Sequence, residues 1–123
     1  MQLPALDDGE ILTAVRLPAA WANAEFYFEK VADRNVWDFA LTSVAAVMKV
    51  SGGTIEDARI ACGAVECVPR RLEAVENAIR GQQRSDELGA RAGELAVEGA
   101  RPLNYNNFKV PLMANLVARA VRG

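Results

Sequence analysis

The sequence predicts an α+β fold: a three- to four-stranded antiparallel sheet in the N-terminal two-thirds, packed against about three helices in the C-terminal half. Three observations carry that expectation. Strand-like runs come first and helix-like runs follow, a segregated order rather than an alternating one. Two apolar runs, 39–50 and 55–65, meet at Ser51-Gly52-Gly53-Thr54, which is a hairpin signal. Beyond Val68-Pro69 the apolar period becomes helical, with Leu72, Val75 and Ile79 on one stripe.

Taken in order, residues 1–9 read as linker, and Asp7-Asp8-Gly9 is turn chemistry. Residues 10–18 alternate, with Ile11, Thr13, Val15 and Leu17 on one face, and read as a strand closed by Pro18. After a loop over 19–24, the aromatic run 25–32 is strand-like, although a turn and a half of helix also fits. Asp33 to Asp38 interrupts with polar residues. Arg34 and Asp38 are spaced to share a helix face, and they can also pair in a loop. On propensity alone 39–50 reads equally as Ala-rich helix or as strand. Arg70 to Arg80 forms a short amphipathic helix stopped by Gly81. Ser85 is a good N-cap for a second helix reaching about Glu98, with Asp86 and Glu87 placed well against its dipole. Asn106 or Asn107 is a candidate cap for the last helix, and Pro111 fits only its first turn. Phe108, Leu112, Leu116 and Ala120 repeat along that helix every four residues, widened by Met113, Val117 and Val121.

The 123 residues suit one domain, expected over 10–123, large enough to bury a core without metals or disulfides. A net charge of −2 argues against a dedicated nucleic-acid binder. Arg70, Arg71, Arg80 and Arg84 interleave with Glu73, Glu76, Asp86 and Glu87, the pattern of a solvated mixed-charge face. With no histidine, Ser-His and Cys-His catalysis and any histidine metal site are excluded. Cys62 reads as a small core residue and Cys67 as more exposed. Along one extended segment they would stand about 16 Å apart, too far for a disulfide, so reduced cysteines and a cytoplasmic setting are expected. No apolar run approaches a membrane span. The N-terminus lacks the regions of a signal peptide and reads like a linker cut and given a start methionine.

Chemistry is sparse. Neither a P-loop nor a dinucleotide glycine motif occurs, and Gly52-Gly53 lacks the spacing of a phosphate cradle. Glu73 and Glu76 read as solvated charges on a polar helix face, and Ser43 and Ser51 have no base to activate them. The chain therefore carries no complete active site of its own.

Several pieces, in order, carry a resemblance. Gly9-Glu10-Ile11-Leu12 is followed by Leu17-Pro18, and Lys30 by Arg34 and Asp38-Phe39-Ala40. Then come Gly53-x-Ile55-x-x-Ala58-Arg59-Ile60-Ala61-x-Gly63, Pro69-x-Arg71, Glu76-x-x-Ile79-x-Gly81, Phe108-Lys109 and Arg119-Ala120. Over about residues 9 to 122 the chain resembles the C-terminal domain of the FAD-containing (medium) subunit of molybdenum hydroxylases. That family includes xanthine dehydrogenases, aldehyde oxidoreductases and aerobic carbon monoxide dehydrogenases. The resemblance tips 39–65 towards strand–turn–strand. Ala64 stands where the family commonly has a second glycine, and Phe108 where it commonly has tyrosine.

The resemblance implies that FAD is held mainly by N-terminal domains outside this chain, and that molybdopterin and the 2Fe-2S clusters reside in partner subunits. It also carries two flavin-facing positions onto Leu12 and Lys30, and places Trp37 in the segment lining the flavin edge. A leucine offers an apolar face to the isoalloxazine ring. A lysine ammonium offsets negative charge and favours the reduced form. Without the resemblance, Leu12 is a sheet-face residue, Lys30 a solvent lysine and Trp37 a cap on the core. With the resemblance, Arg34 and Asp38 hold the flavin-edge segment in shape, and Arg59 and Arg71 remain surface or subunit-contact residues. Two function classes follow. One is an electron-transfer flavoprotein domain that closes over FAD and docks the subunit, not catalytic alone. The other is a stand-alone interaction module that kept the fold without a flavin role.

Overall fold

The computed structural model describes residues 6–123, so part of the expected 1–9 linker lies outside the described residues. A single 3-10 turn, Ala19–Trp21, leads into strands β1 (Glu25–Val31), β2 (Thr42–Ser51), β3 (Thr54–Gly63) and the short β4 (Arg70–Arg71). Helices α1 (Glu73–Ile79), α2 (Asp86–Ala96) and α3 (Lys109–Arg122) follow. The strands form one antiparallel meander in chain order, β1-β2-β3-β4.

The hairpin expectation holds. Gly52 and Gly53, at φ +55° and +83°, make the two-residue left-handed turn that matches strand twist between β2 and β3. The register shifts once, where Lys49 faces Asp57 but Val50 faces Ile55, leaving Glu56 as an extra residue on β3. That bulge lets both Ile55 and Ala58 turn inward although they lie three apart. The inner sheet face (Val44, Ala46, Met48, Ile60 and Cys62) packs under Val75, Ile79, Leu116, Val117 and Val121 from the helices, and all are buried.

α2 and α3 approach closely because α2 turns two glycines towards α3. A Cβ on Gly93 would sit 2.5 Å from the Ala114 carbonyl oxygen, and one on Gly89 2.8 Å from that of Ala118. The Ser85 side chain caps α2 by accepting from the Leu88 amide at 3.0 Å, as its position predicts. Cys62 is buried, which pushes its thiol up to about 11, whereas Cys67 is exposed, matching both expectations.

Several expectations are corrected. Residues 10–18 form no strand. Alternation marks a pleated surface, but a strand also needs a ladder, and this segment has no ladder partner among the described residues. The fourth strand is instead Arg70–Arg71, so the first helix starts later than expected, at Glu73, while its stripe of Leu72, Val75 and Ile79 is buried as expected. Phe108 occupies the N-cap of α3 and no side chain caps it. Asn106 Oδ1 accepts instead from the Leu103 amide at 2.6 Å. The buried stripe of α3 runs through Met113, Val117 and Val121 beside Leu116 and Ala120, leaving Phe108 47% exposed.

Glu76 is the largest correction, because it is buried rather than solvated. Its carboxylate accepts from the Ile60 amide at 2.8 Å and takes both Arg71 Nε and an Arg71 terminal nitrogen at 2.8 Å. Two other arginines of that stretch also reach distant elements, Arg80 to Asp57 on β3 and Arg84 to Glu25 on β1, whereas Arg70 pairs locally with Glu66 in the preceding loop. Most of the stretch is solvated as expected, with Arg70, Arg71, Glu73, Arg80, Asp86 and Glu87 exposed, and Glu76 is the buried exception.

Candidate functional site

The helices cover one face of the sheet and leave the other open. On β1 the residues pointing to the open side are Phe26, Phe28 and Lys30, which stand opposite Val47, Ala45 and Ser43 of β2. Next along the same face come Arg59, Ala61 and Gly63 of β3. Phe26 and Phe28 are 64% and 69% exposed. Between them and Arg71 lies a shallow concavity of about 450 Å³, floored by Ala45, Val47 and Ala61. Trp21 lies half-buried at its margin, with the Lys49 ammonium 5.0 Å and the Arg59 guanidinium 5.2 Å from the ring centre. This contact pins the N-terminal approach to the sheet.

At the end of β1 the loop 32–41 is built by polar contacts. Lys30 Nζ donates to the Asp38 carbonyl at 2.6 Å. The Asp38 carboxylate accepts from the Arg34 amide at 2.9 Å, and the Arg34 guanidinium donates to the Trp37 carbonyl at 2.6 Å. The expected bracing by Arg34 and Asp38 is present, although it runs through backbone groups and not through an ion pair of the two side chains. The result holds Trp37 at φ +55° with its side chain 93% exposed, so Trp37 is no cap on the core. Phe39 beside it is equally exposed at 93%.

Of the three expected site residues, Lys30 and Trp37 thus belong to one hydrogen-bonded unit. Leu12, 67% exposed on the N-terminal approach, takes no part in it. Phe26 and Phe28 are not among the expected site residues. Their signal was the period of two in Phe26-Tyr27-Phe28: Tyr27 packs against the core and donates to Glu29, while its neighbours face outward. Burial and the Glu29 carboxylate both push the Tyr27 hydroxyl above its ordinary range.

Leu12, Lys30 and Trp37 all face solvent, leaving an apolar chain, an ammonium and an indole outside the core. No group of three or more metal-ligating side chains occurs among the described residues. No helix among them is long and apolar enough to cross a membrane.

A four-stranded antiparallel meander with helices on one face defines an α+β domain whose other face is left open. Residues 27–123 match the family of CO dehydrogenase flavoprotein C-terminal domains, and the chain belongs to that family. It is 34% identical over 115 residues to the aldehyde oxidoreductase FAD-binding subunit PaoB of Escherichia coli, covering 93% of this chain and 32% of that one. The fold matches quinoline 2-oxidoreductase from Pseudomonas putida 86 with a TM-score of 0.73 and 29% identity, over 81% of this chain and 36% of that one. It also matches CO dehydrogenase from Oligotropha carboxidovorans with a TM-score of 0.79 and 23% identity, over 95% and 42% of the two chains. The chain therefore spans about a third of the length of the relatives it matches.

Proposed function

We propose that residues 10–123 act as the C-terminal domain of a molybdenum-hydroxylase medium subunit, closing over an FAD held by N-terminal domains. Its partners are those FAD-binding domains, a molybdenum subunit and an iron–sulfur subunit. Reduced thiols at Cys62 and Cys67 suit a cytoplasmic setting. The bound flavin would relay electrons from the molybdenum and 2Fe-2S centres to an acceptor. This chain's residues shape its surroundings. Leu12 supplies an apolar wall and excludes water. Lys30 supplies positive charge, and its ammonium is aimed by the Asp38 carbonyl rather than left to swing. Trp37 walls the flavin edge from the braced loop. The single observation that carries this reading is the Lys30–Asp38–Arg34–Trp37 unit, which presents a cation and an exposed indole together on a domain of this family.

The test mixes this chain with a separately made, FAD-loaded N-terminal portion and follows flavin fluorescence and midpoint potential. Both should change on mixing, and Lys30→Ala should lower the potential by tens of millivolts as positive charge is lost. Unchanged fluorescence and potential on mixing, together with no response to Lys30→Ala, would leave the flavin role without support.

A further inference from the structure

The open face of the sheet has no role in the reading above beyond carrying Lys30 at one end. An antiparallel sheet with one solvated face normally shows polar residues there. Here the centre is Phe26, Phe28, Ala45, Val47 and Ala61. Arg59 and Arg71 line the far side of the same concavity, held by Asp57 and Glu76, and Lys49 stands at one end of the face. Two large aromatics over small residues, bordered by cations, form the pattern of a contact surface: an apolar centre to be desolvated and a polar rim.

We infer that this open face is the surface by which the domain docks on the FAD-loaded portion of the medium subunit, with Phe26 and Phe28 as its anchors. The inference rests on the flavin reading and adds to it the surface that holds the two parts together. Three observations choose this occupant. The matched family is a C-terminal domain and this chain spans about a third of its relatives, so in them most of the subunit precedes the matched segment. The face is continuous with the candidate flavin residues, because Phe26, Phe28 and Lys30 are successive outward positions of β1. Exposed large hydrophobics concentrate in the N-terminal third, with Ile11, Leu12, Val15, Leu17, Trp37 and Phe39 besides the two phenylalanines. Beyond it Val68, Leu103, Tyr105 and Phe108 are exposed in the approaches to β4 and α3, and α1 and α2 expose none. A partner on the helical side would leave the N-terminal group in water. The complementary surface is apolar, with carboxylates placed to meet Lys49 and the marginal arginines.

The test joins this chain, in place of the matched segment, to the FAD-loaded portion that precedes that segment in PaoB, and compares it with the free chain. The free chain has its own closed core and serves as the reference. In a Cys67→Ser background, Ala45→Cys and Ala61→Cys report the open face with both anchors intact, and Arg91→Cys on the exposed side of α2 is the control. Thiol labelling at the two sheet positions should slow at least tenfold in the joined protein, with the control unchanged. Phe26→Ser combined with Ala45→Cys should restore fast labelling at position 45. Equal labelling in joined and free proteins, or protection of the α2 position instead, overturns the inference. The flavin potential of Lys30→Ala in the same joined protein is read separately. A potential shift with an unprotected sheet keeps the flavin reading and rejects this surface. A protected sheet with no shift does the reverse.

Discussion

Arg71 and Glu76 form a two-pronged ion pair in which one partner is in water and the other is not: the Arg71 side chain is 48% exposed and that of Glu76 only 3%. The pair joins β4 to α1, and through the Ile60 amide it reaches β3. Burial pushes the Glu76 carboxyl up, but the Arg71 guanidinium and the Ile60 amide outweigh it and hold it below the ordinary glutamate range. The two halves should respond unequally to mutation. Glu76→Gln keeps an acceptor for the Ile60 amide and frees an arginine already half in solvent, costing about 1 kcal/mol. Arg71→Met strands a buried carboxylate, costing about 2–3 kcal/mol, below the full buried-pair range because the arginine is half exposed. The pH signs also differ. In the wild type the lowered carboxyl contributes stability above the ordinary glutamate range, and that contribution is lost as pH falls through the lowered value. In Arg71→Met the guanidinium's share of that lowering is gone, so the carboxyl takes its proton at higher pH than in the wild type and the variant's deficit shrinks between about pH 7 and about pH 4. Urea unfolding of both variants at the two pH values checks the order and the convergence.

The seam between α2 and α3 yields a second prediction. Gly93→Ala places a methyl 2.5 Å from a backbone oxygen on α3, which cannot move aside without shifting the helix. The higher helix propensity of alanine, worth about 1 kcal/mol, does not offset an overpacking cost of about 2–3 kcal/mol. A net loss of about 1–2 kcal/mol in urea unfolding is expected, against no loss for Arg91→Ala on the exposed side of the same helix.

What could be read in the sequence was what depends on local chemistry. The Gly52-Gly53 turn, the Ser85 cap and the Leu72–Val75–Ile79 stripe each follow from residues within two turns of one another, and each is present. What could not be read depends on distant partners. Glu76 looked solvated because its second carboxylate contact, the Ile60 amide, lies 16 residues away on β3. Residues 10–18 carried a strand pattern that has no ladder to join among the described residues. In the candidate site, Lys30 is singled out by the family resemblance alone, and the pairing of Arg34 with Asp38 by their spacing. The open sheet face emerged only once pairing had fixed which side of β1 the helices cover.

The departure at Ala64 gives a third prediction. Ala64 adopts φ +61°, a left-handed conformation that costs an L side chain about 1–2 kcal/mol and glycine almost nothing. Glycine is what the resemblance places there. Its carbonyl accepts from Lys109 Nζ at 3.0 Å, a contact that does not depend on the side chain. Ala64→Gly should therefore stabilise the fold by about 0.5–1 kcal/mol, the relief of strain being partly offset by the greater freedom of glycine in the unfolded chain. A rise in the urea midpoint with an unchanged slope is the expected result.

Trp37 presents the same backbone conformation with the opposite reason for its side chain. At φ +55° and 93% exposed, its indole buries almost nothing within this chain, while its carbonyl receives the Arg34 guanidinium at 2.6 Å. Trp37→Gly keeps that carbonyl contact and removes the left-handed penalty, so the isolated chain should be as stable as the wild type or more stable by up to about 1 kcal/mol. Under the proposed function, the contribution of this strained, solvent-facing aromatic is read in the assembled subunit. There Trp37→Gly should raise the accessibility of the flavin to an external quencher several-fold, whereas Trp37→Phe, which retains an aromatic face, should raise it less. Parallel thermal melts of the isolated variants and quenching of flavin fluorescence in the assembled subunit separate the two roles. A Trp37→Gly chain markedly less stable on its own would return the indole to the core. Unchanged quenching in the assembled subunit would remove it from the flavin margin.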